Sequence, residues 1–106
     1  MLATFNGALW IREQLDSILA QRDVTPYVVI RDDGSIDDTL KQIAQFSHDS
    51  RVHLLANVSP THSAAQNFFA LIKNTPASGF DLVAFSDQDD IWNPDKLIRA
   101  FRCLKQ

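Results

Sequence analysis

Asp87, Asp89 and Asp90 place three carboxylates within four residues, in the stretch Phe85-Ser86-Asp87-Gln88-Asp89-Asp90-Ile91-Trp92. Carboxylates this close repel one another, so an ionised cluster needs water, a basic side chain or a divalent cation to offset it. In an extended or turning segment, residues two apart point the same way, which lets Asp87 and Asp89 converge on one ion. Oxygen donors of this kind suit Mg²⁺ or Mn²⁺, hard cations that keep several waters and bridge to phosphates rather than being caged by protein. The set is too small for a tight Ca²⁺ site, and the stretch lacks the glycine an EF-hand loop carries at its sixth place. The competing reading of Asp-x-Asp is structural: aspartates in a loop ahead of a helix, favoured by the helix macrodipole.

A second acidic run, Asp32-Asp33-Gly34-Ser35-Ile36-Asp37-Asp38-Thr39, offers different chemistry. Asp32 and Asp33 follow an apolar run, and Gly34 lets a ligand or backbone approach closely. A carboxylate there can accept a hydrogen bond from a base N–H or a ribose hydroxyl; the competing reading is a turn residue. Asp37 or Asp38 reads as a helix cap. His48, His53 and His62 are scattered without metal-ligand spacing and read as structural or exposed. Trp10 and Trp92 read as packing residues. Cys103, the only cysteine, cannot form an internal disulfide and reads as a small buried hydrophobe. No G-x-S-x-G nucleophile and no G-x-x-x-x-G-K-[ST] phosphate loop is present. Three glycines cannot build a phosphate cradle, so phosphate binding would fall to a cation.

The elements that must position these residues follow from periodicity. A helix is predicted from about Ala8 to Gln21, with Ile11, Leu15, Ile18 and Leu19 on one face and Arg12, Glu13, Gln14 and Asp16 mostly on the other. Tyr27 to Arg31 is β-branched and nearly all apolar, which suits a strand buried on both faces. A second helix starts near Ser35 or Asp37 and turns Leu40, Ile43 and Ala44 inward. Val52 to Ala56 reads as a third strand, Ser63 to Asn74 as a third helix, and Asp81 to Ser86 as a fourth strand. Asn93 is a good N-cap and Pro94 suits the first position of the last helix. Met1 to Phe5 is a strand cut short by the turn signal Asn6-Gly7. The expected architecture is α/β: a parallel open sheet of about four strands with four alternating helices, Rossmann-like. Ligands of such sheets bind beyond the carboxyl ends of the strands. Those ends carry Thr4-Phe5-Asn6, Asp32-Asp33, Asn57-Val58 and Ser86 to Asp89, so the two acidic clusters belong on one rim.

Composition narrows the partners. A net charge of −3 argues against a nucleic-acid backbone. The length, 106 residues, allows at most one small domain. No apolar run approaches the ~20 residues of a membrane span, and no signal peptide is visible.

Taken together, Ala3-Thr4-Phe5-Asn6-Gly7, Glu13 to Gln21, Ile30-Arg31-Asp32-Asp33-Gly34-Ser35 to Thr39, and Phe85 to Leu97 resemble the family-2-type glycosyltransferases of GT-A fold. The resemblance covers essentially the whole chain, and the last stretch looks most like the bacterial rhamnosyltransferase-like branch. It implies the nucleotide-binding half of an inverting transferase that takes a UDP- or dTDP-linked sugar and a saccharide or lipid-linked saccharide acceptor in surface polysaccharide synthesis. It implies nucleotide contacts from Thr4, Asn6, Asp32, Asp33 and Asp87, with Asp33 on the pyrimidine ring, and Mn²⁺ or Mg²⁺ held by Asp89 and Asp87. A cytoplasmic setting, extending to peripheral contact with the inner face of the membrane, goes with that reading.

Two departures from the family pattern are visible. Ser63 stands where the family carries glycine, which would strain a positive-φ backbone or crowd a ligand. The first strand is shortened and the acceptor-binding half, with its general base, is absent, so residues 1–106 read as a partial domain that does not turn over alone. The alternatives are a non-catalytic α/β fragment and an acidic-pocket Mg²⁺-binding module of receiver type.

Overall fold

A computed structural model describes residues 1–56, 58–87 and 89–105; Asn57 and Gln88, both on the expected rim, lie outside the described residues. Four parallel strands form one sheet: β1 (Leu2–Thr4), β2 (Val28–Asp32), β3 (Val52–Leu54) and β4 (Ser86–Asp87). They alternate with α1 (Ile11–Leu19), α2 (Thr39–Ala44), α3 (Ala64–Asn74) and α4 (Lys96–Leu104). The α/β expectation holds. The strand order is β3-β2-β1-β4, so the chain winds outward through β2 and β3 and returns through α3 to lay β4 on the other side of β1. That reversal opens a crevice at the carboxyl ends of β1 and β4, the usual binding position in such sheets.

The two-residue period of the strands sorts the core onto two faces. Leu2, Val28 and Ile30 pack with Ile11, Leu15 and Ile18 of α1, Ile43 of α2 and Trp92. Ala3 and Val29 pack with Leu71 of α3, flanked by Phe68 and Leu55. The same alternation sends Asp32 toward the α1 and α2 face and Asp33 toward α3.

Several boundaries move, each for a local reason. Helix α1 begins at Ile11 rather than Ala8, because the N–H groups of Trp10 and Ile11 both return to the Gly7 carbonyl at 3.0 Å in a preceding turn. Strand β4 is only Ser86–Asp87, not Asp81 to Ser86. A strand extends only as far as its neighbour, and the ladder ends where Ser86 N–H reaches the Met1 carbonyl at 3.0 Å and the Met1 amine reaches the Ala84 carbonyl at 2.8 Å. Helix α4 starts at Lys96, not at Asn93-Pro94, because residues just past α1 compete for its first turn: Leu97 N–H goes to Gln21 Oε1 at 2.9 Å, and the Asn93 carbonyl, which accepts from Lys96 N–H at 3.1 Å, is shared. Gln21 Nε2 donates to Asn93 at 2.7 Å and Arg22 N–H donates to Pro94 at 2.7 Å. Cys103 is exposed rather than buried, since α4 buries no residue fully. Trp92 is a core residue, whereas Trp10 is 43% exposed.

Candidate functional site

The carboxyl ends of β1, β2 and β4 carry the polar residues, and each is held by a definite set of bonds. Thr4 ends β1 and sits opposite Asp32 in the strand register. Its hydroxyl donates to Asp32 Oδ1 at 2.7 Å. Ser35 completes that turn, with its N–H to Asp32 Oδ2 at 2.8 Å and its hydroxyl to Oδ1 at 2.6 Å. Asn6 Oδ1 accepts from Ile36 N–H at 2.9 Å, and Asn6 N–H donates to Ser35 Oγ at 2.8 Å. The N-cap of α2 is Asp38, which makes no side-chain cap bond; Asp37, one residue ahead, accepts from Thr39 N–H at 3.0 Å and Ala8 N–H at 3.1 Å, so it ties the start of α2 to the loop after β1. These bonds join the β1 and β2 loops into one frame.

Gly34 makes the frame possible. Its φ of +87° lies in the left-handed region, and a Cβ added there would sit 3.0 Å from Pro60 Cγ. Gly34→Ala is therefore expected to cost about 1–2 kcal/mol, measured as a shift in the urea midpoint with the slope unchanged. A loss below roughly 0.5 kcal/mol would mean that the turn relaxes without strain.

On the other face, Asp33 sits at the centre of a buried network. Arg31 Nη1 donates to Asp33 Oδ1 and to Asn67 Oδ1, both at 2.9 Å, and Arg31 Nη2 donates to the Ser59 carbonyl at 2.8 Å. Thr61 N–H reaches Asp33 Oδ1 at 2.8 Å and His62 N–H reaches Oδ2 at 3.0 Å. Asn67 Nδ2 reaches the carbonyls of Thr4 and Arg31, each at 3.3 Å, fastening α3 to the sheet. Burial pushes the Asp33 carboxyl up, but the bonds from Thr61, Arg31 and His62 outweigh it and hold the carboxyl below the usual carboxylate range. The Thr61 hydroxyl has Ser63 O at 3.1 Å as an alternative acceptor to both Asp33 oxygens. When it turns that way, Oδ2 keeps lone-pair capacity for one further donor.

A cleft of about 480 Å³ opens beside this network. Thr4, Asp33, His62, Ser63, Asp87 and Asp89 are among the residues lining it. The structure thus brings Thr4, Asp33, Asp87 and Asp89 together at the strand-order reversal. Asp32 and Asn6 do not line this cleft; their polar groups are engaged in the turn behind it. Asp90 N–H returns to the Asp87 carbonyl at 3.2 Å, so the chain turns directly after β4. The Asp90 carboxylate lies 3.7 Å from Lys96 Nζ, and Asp90 is not among the residues lining the cleft.

The fit of this cleft to a divalent cation follows from its donors. Neither Asp87 nor Asp89 appears in the ion pairs among the described residues. Among those residues, no group of three or more His, Cys, Asp or Glu gathers closely enough to hold a metal unaided. Two carboxylates facing a cleft fit a cation that takes its remaining oxygens from phosphate and water, and do not fit a self-sufficient protein cage.

The concern over Ser63 is corrected by its backbone. Ser63 has φ −149° and ψ 132°, an extended conformation open to any residue, and its hydroxyl caps α3 by accepting from Gln66 N–H at 3.3 Å. The left-handed position falls one residue earlier, at His62 with φ 63°. Arg31, Thr61 and Asn67 join the site without having been expected there, and His62, expected to be structural or exposed, contributes its backbone N–H. Arg31 carried a signal, as the one basic residue closing an otherwise apolar run ahead of Asp32; the others carried none. The receiver-type alternative loses its basis, since β3 ends at Leu54 with no aspartate beside it.

Comparison with known proteins agrees with this architecture. The family model described as glycosyl transferase family 2 matches residues 1–106. The chain is 44% identical over 105 residues to dTDP-rhamnosyl transferase RfbG of Shigella flexneri, covering 97% of this chain and 36% of that protein. It is 34% identical over 97 residues to the UDP-Glc:alpha-D-GlcNAc-diphosphoundecaprenol beta-1,3-glucosyltransferase WfgD of Escherichia coli, covering 92% of this chain and 36% of that protein. The chain therefore spans about a third of the length of these relatives. Its fold matches S. aureus TarS 1–349 in complex with UDP at a TM-score of 0.81 and 23% identity, covering 99% of this chain and 31% of that one. Among the described residues, no helix is long and apolar enough to cross a membrane. With the family model matched from end to end, the chain belongs to glycosyl transferase family 2.

Proposed function

We propose that this chain forms the donor site of a glycosyltransferase, binding a pyrimidine nucleoside diphosphate sugar in the cleft at the ends of β1 and β4. The observation that carries the reading is the convergence of Asp33, Asp87 and Asp89 on one cleft, from strands far apart in sequence, in a family 2 chain. Asp33 accepts the ring N–H of uracil or thymine at Oδ2, and Thr4 contributes to the wall beside it. Asp32 and Asn6 act from behind, by holding the turn that presents Asp33. Asp87 and Asp89 face the ribose and diphosphate and hold a divalent cation, Mn²⁺ or Mg²⁺. When bound, that cation supplies charge neutralisation at the leaving diphosphate. The names of the relatives, one using dTDP-rhamnose and one UDP-glucose, support a pyrimidine nucleotide for this chain as well. Inverting transfer to a saccharide or lipid-linked saccharide acceptor completes the proposal.

Calorimetric titration of the 106-residue chain with UDP and dTDP, in Mn²⁺ and then in EDTA, tests it. Saturable binding in Mn²⁺ that weakens on chelation is the expected result. No binding by either nucleotide at about millimolar concentration in Mn²⁺ would sink the donor-site reading for this chain.

A further inference from the structure

Strand β4 is two residues long and pairs with β1 only through Leu2 and Ala3. So short a ladder holds the start of the acidic loop weakly, and nothing in it sets where the loop ends. A row of side chains on α1 does both. Gln14 lies within the helix and is fully buried; its Nε2 donates to Ser86 Oγ and to the Asp87 carbonyl, at the loop's entry. Ser17, one turn on, donates to the Gln14 carbonyl at 2.7 Å and accepts from Trp92 N–H at 3.1 Å, at the loop's exit. Gln21, just past the helix, is 6% exposed. It donates to the Asn93 carbonyl at 2.7 Å and accepts from Leu97 N–H at 2.9 Å. The spacing i, i+3, i+7 sets all three along one stripe. The helix that carries them is itself seated on the sheet by Ile11, Leu15 and Ile18. Burying two amides is costly unless each finds partners; Gln14 Nε2 and both ends of the Gln21 amide find them in backbone and hydroxyl groups on both sides of the acidic loop, while Gln14 Oε1 is buried without one among the described residues.

We infer that Gln14, Ser17 and Gln21 are positioning residues: they clasp the two ends of the acidic loop to α1 and so hold Asp87 and Asp89 toward the diphosphate end of the cleft. What the loop binds rests on the donor-site reading above; that it is clasped does not. A rigid helix on a packed core is a better reference for two carboxylates than a two-residue strand. The stripe therefore sets phosphate and cation affinity without touching either, while the base end, built on Asp33, Thr61 and His62, is independent of it.

Two measurements test the clasp on the 106-residue chain. Gln14→Met keeps side-chain length and removes the amide. It is expected to weaken Mn²⁺-dependent binding of UDP and dTDP by about 10–100-fold while leaving uridine and thymidine binding, which needs no cation, within about twofold of the parent. Unchanged diphosphate binding, or equal losses for nucleoside and nucleotide, would overturn the inference. Ser17→Ala, a milder change, frees Trp92 N–H and is expected to speed its hydrogen exchange by several-fold to about tenfold in the unliganded chain, with amides of β2 unaffected. Exchange at the parent rate would equally overturn it. If the parent chain binds no nucleotide, the donor-site reading falls, and the exchange measurement still decides the clasp.

Discussion

Asp89→Ala is expected to weaken Mn²⁺-dependent binding of UDP or dTDP by more than about 100-fold, beyond the loss typical of residues that merely support a metal ligand. The size of the effect follows from how few ligands the cleft supplies. Asp87 and Asp89 are its two carboxylates free of a described ion pair, whereas Asp33 is neutralised by Arg31 at 2.9 Å and Asp90 lies 3.7 Å from Lys96. On the proposed assignment of the cation to Asp87 and Asp89, removing one of the two carboxylates leaves a site that cannot compete with water for a hard cation. Asp89 is exposed, so the unliganded chain should keep its stability within roughly 0.5 kcal/mol. Asp90→Ala is the matched control: it deletes a neighbouring charge of the same sign, and nucleotide affinity should stay within about twofold. Calorimetry on the three proteins, in Mn²⁺ and in EDTA, reads the difference. Equal losses in Asp89→Ala and Asp90→Ala would show that the loop acts only through its net charge, and the assignment of Asp89 to the cation would be wrong.

How far such a site can be read from sequence depends on which interactions set it. The strand ends were legible because apolar runs that stop at Asp32 and Asp87 leave few alternatives, and parallel β/α alternation puts all carboxyl ends on one rim. The facing of Asp32 and Asp33 was not, because their positions differ by one residue and the strand's exact end decides which points into the cleft. Gln14 shows a second limit. A glutamine on an amphipathic helix reads as solvent-facing, yet it is fully buried, because the surface opposite it is backbone from a loop distant in sequence. Helix periodicity records where apolar residues go and is silent on polar residues that satisfy remote carbonyls. The same cause displaced the start of α4: Asn93 and Pro94 satisfied every local rule for a helix start, but Gln21 and Arg22 also bond their carbonyls and Gln21 Oε1 takes the Leu97 N–H.

Arg31→Met should be the most destabilising single substitution in the frame of the site, at about 3–5 kcal/mol near neutral pH, the range for removing one member of a buried charge pair. The Arg31 and Asp33 side chains are 6% and 5% exposed, so solvent cannot take over from the lost guanidinium. Asp33 would remain with the N–H groups of Thr61 and His62 but no countercharge. The same cation also holds Asn67 and the Ser59 carbonyl, so α3 and the loop ahead of it lose a shared anchor. The pH dependence gives the mechanism a signature. In the parent chain the folded-state Asp33 carboxyl lies below its ordinary value; its stabilising contribution is present above the unfolded value of about 3.9 and is lost as pH falls through the folded value. Without Arg31 the burial that pushes the carboxyl up meets less opposition, so the variant binds this proton at higher pH than the parent. The stability gap between the two should be widest near neutrality and should narrow below about pH 4. Urea unfolding across that range measures it. Arg31→Lys, which keeps the charge but cannot serve Asp33, Asn67 and Ser59 at once, should fall between the two. A gap independent of pH would assign the loss to packing around the Arg31 stem instead of to the charge on Asp33.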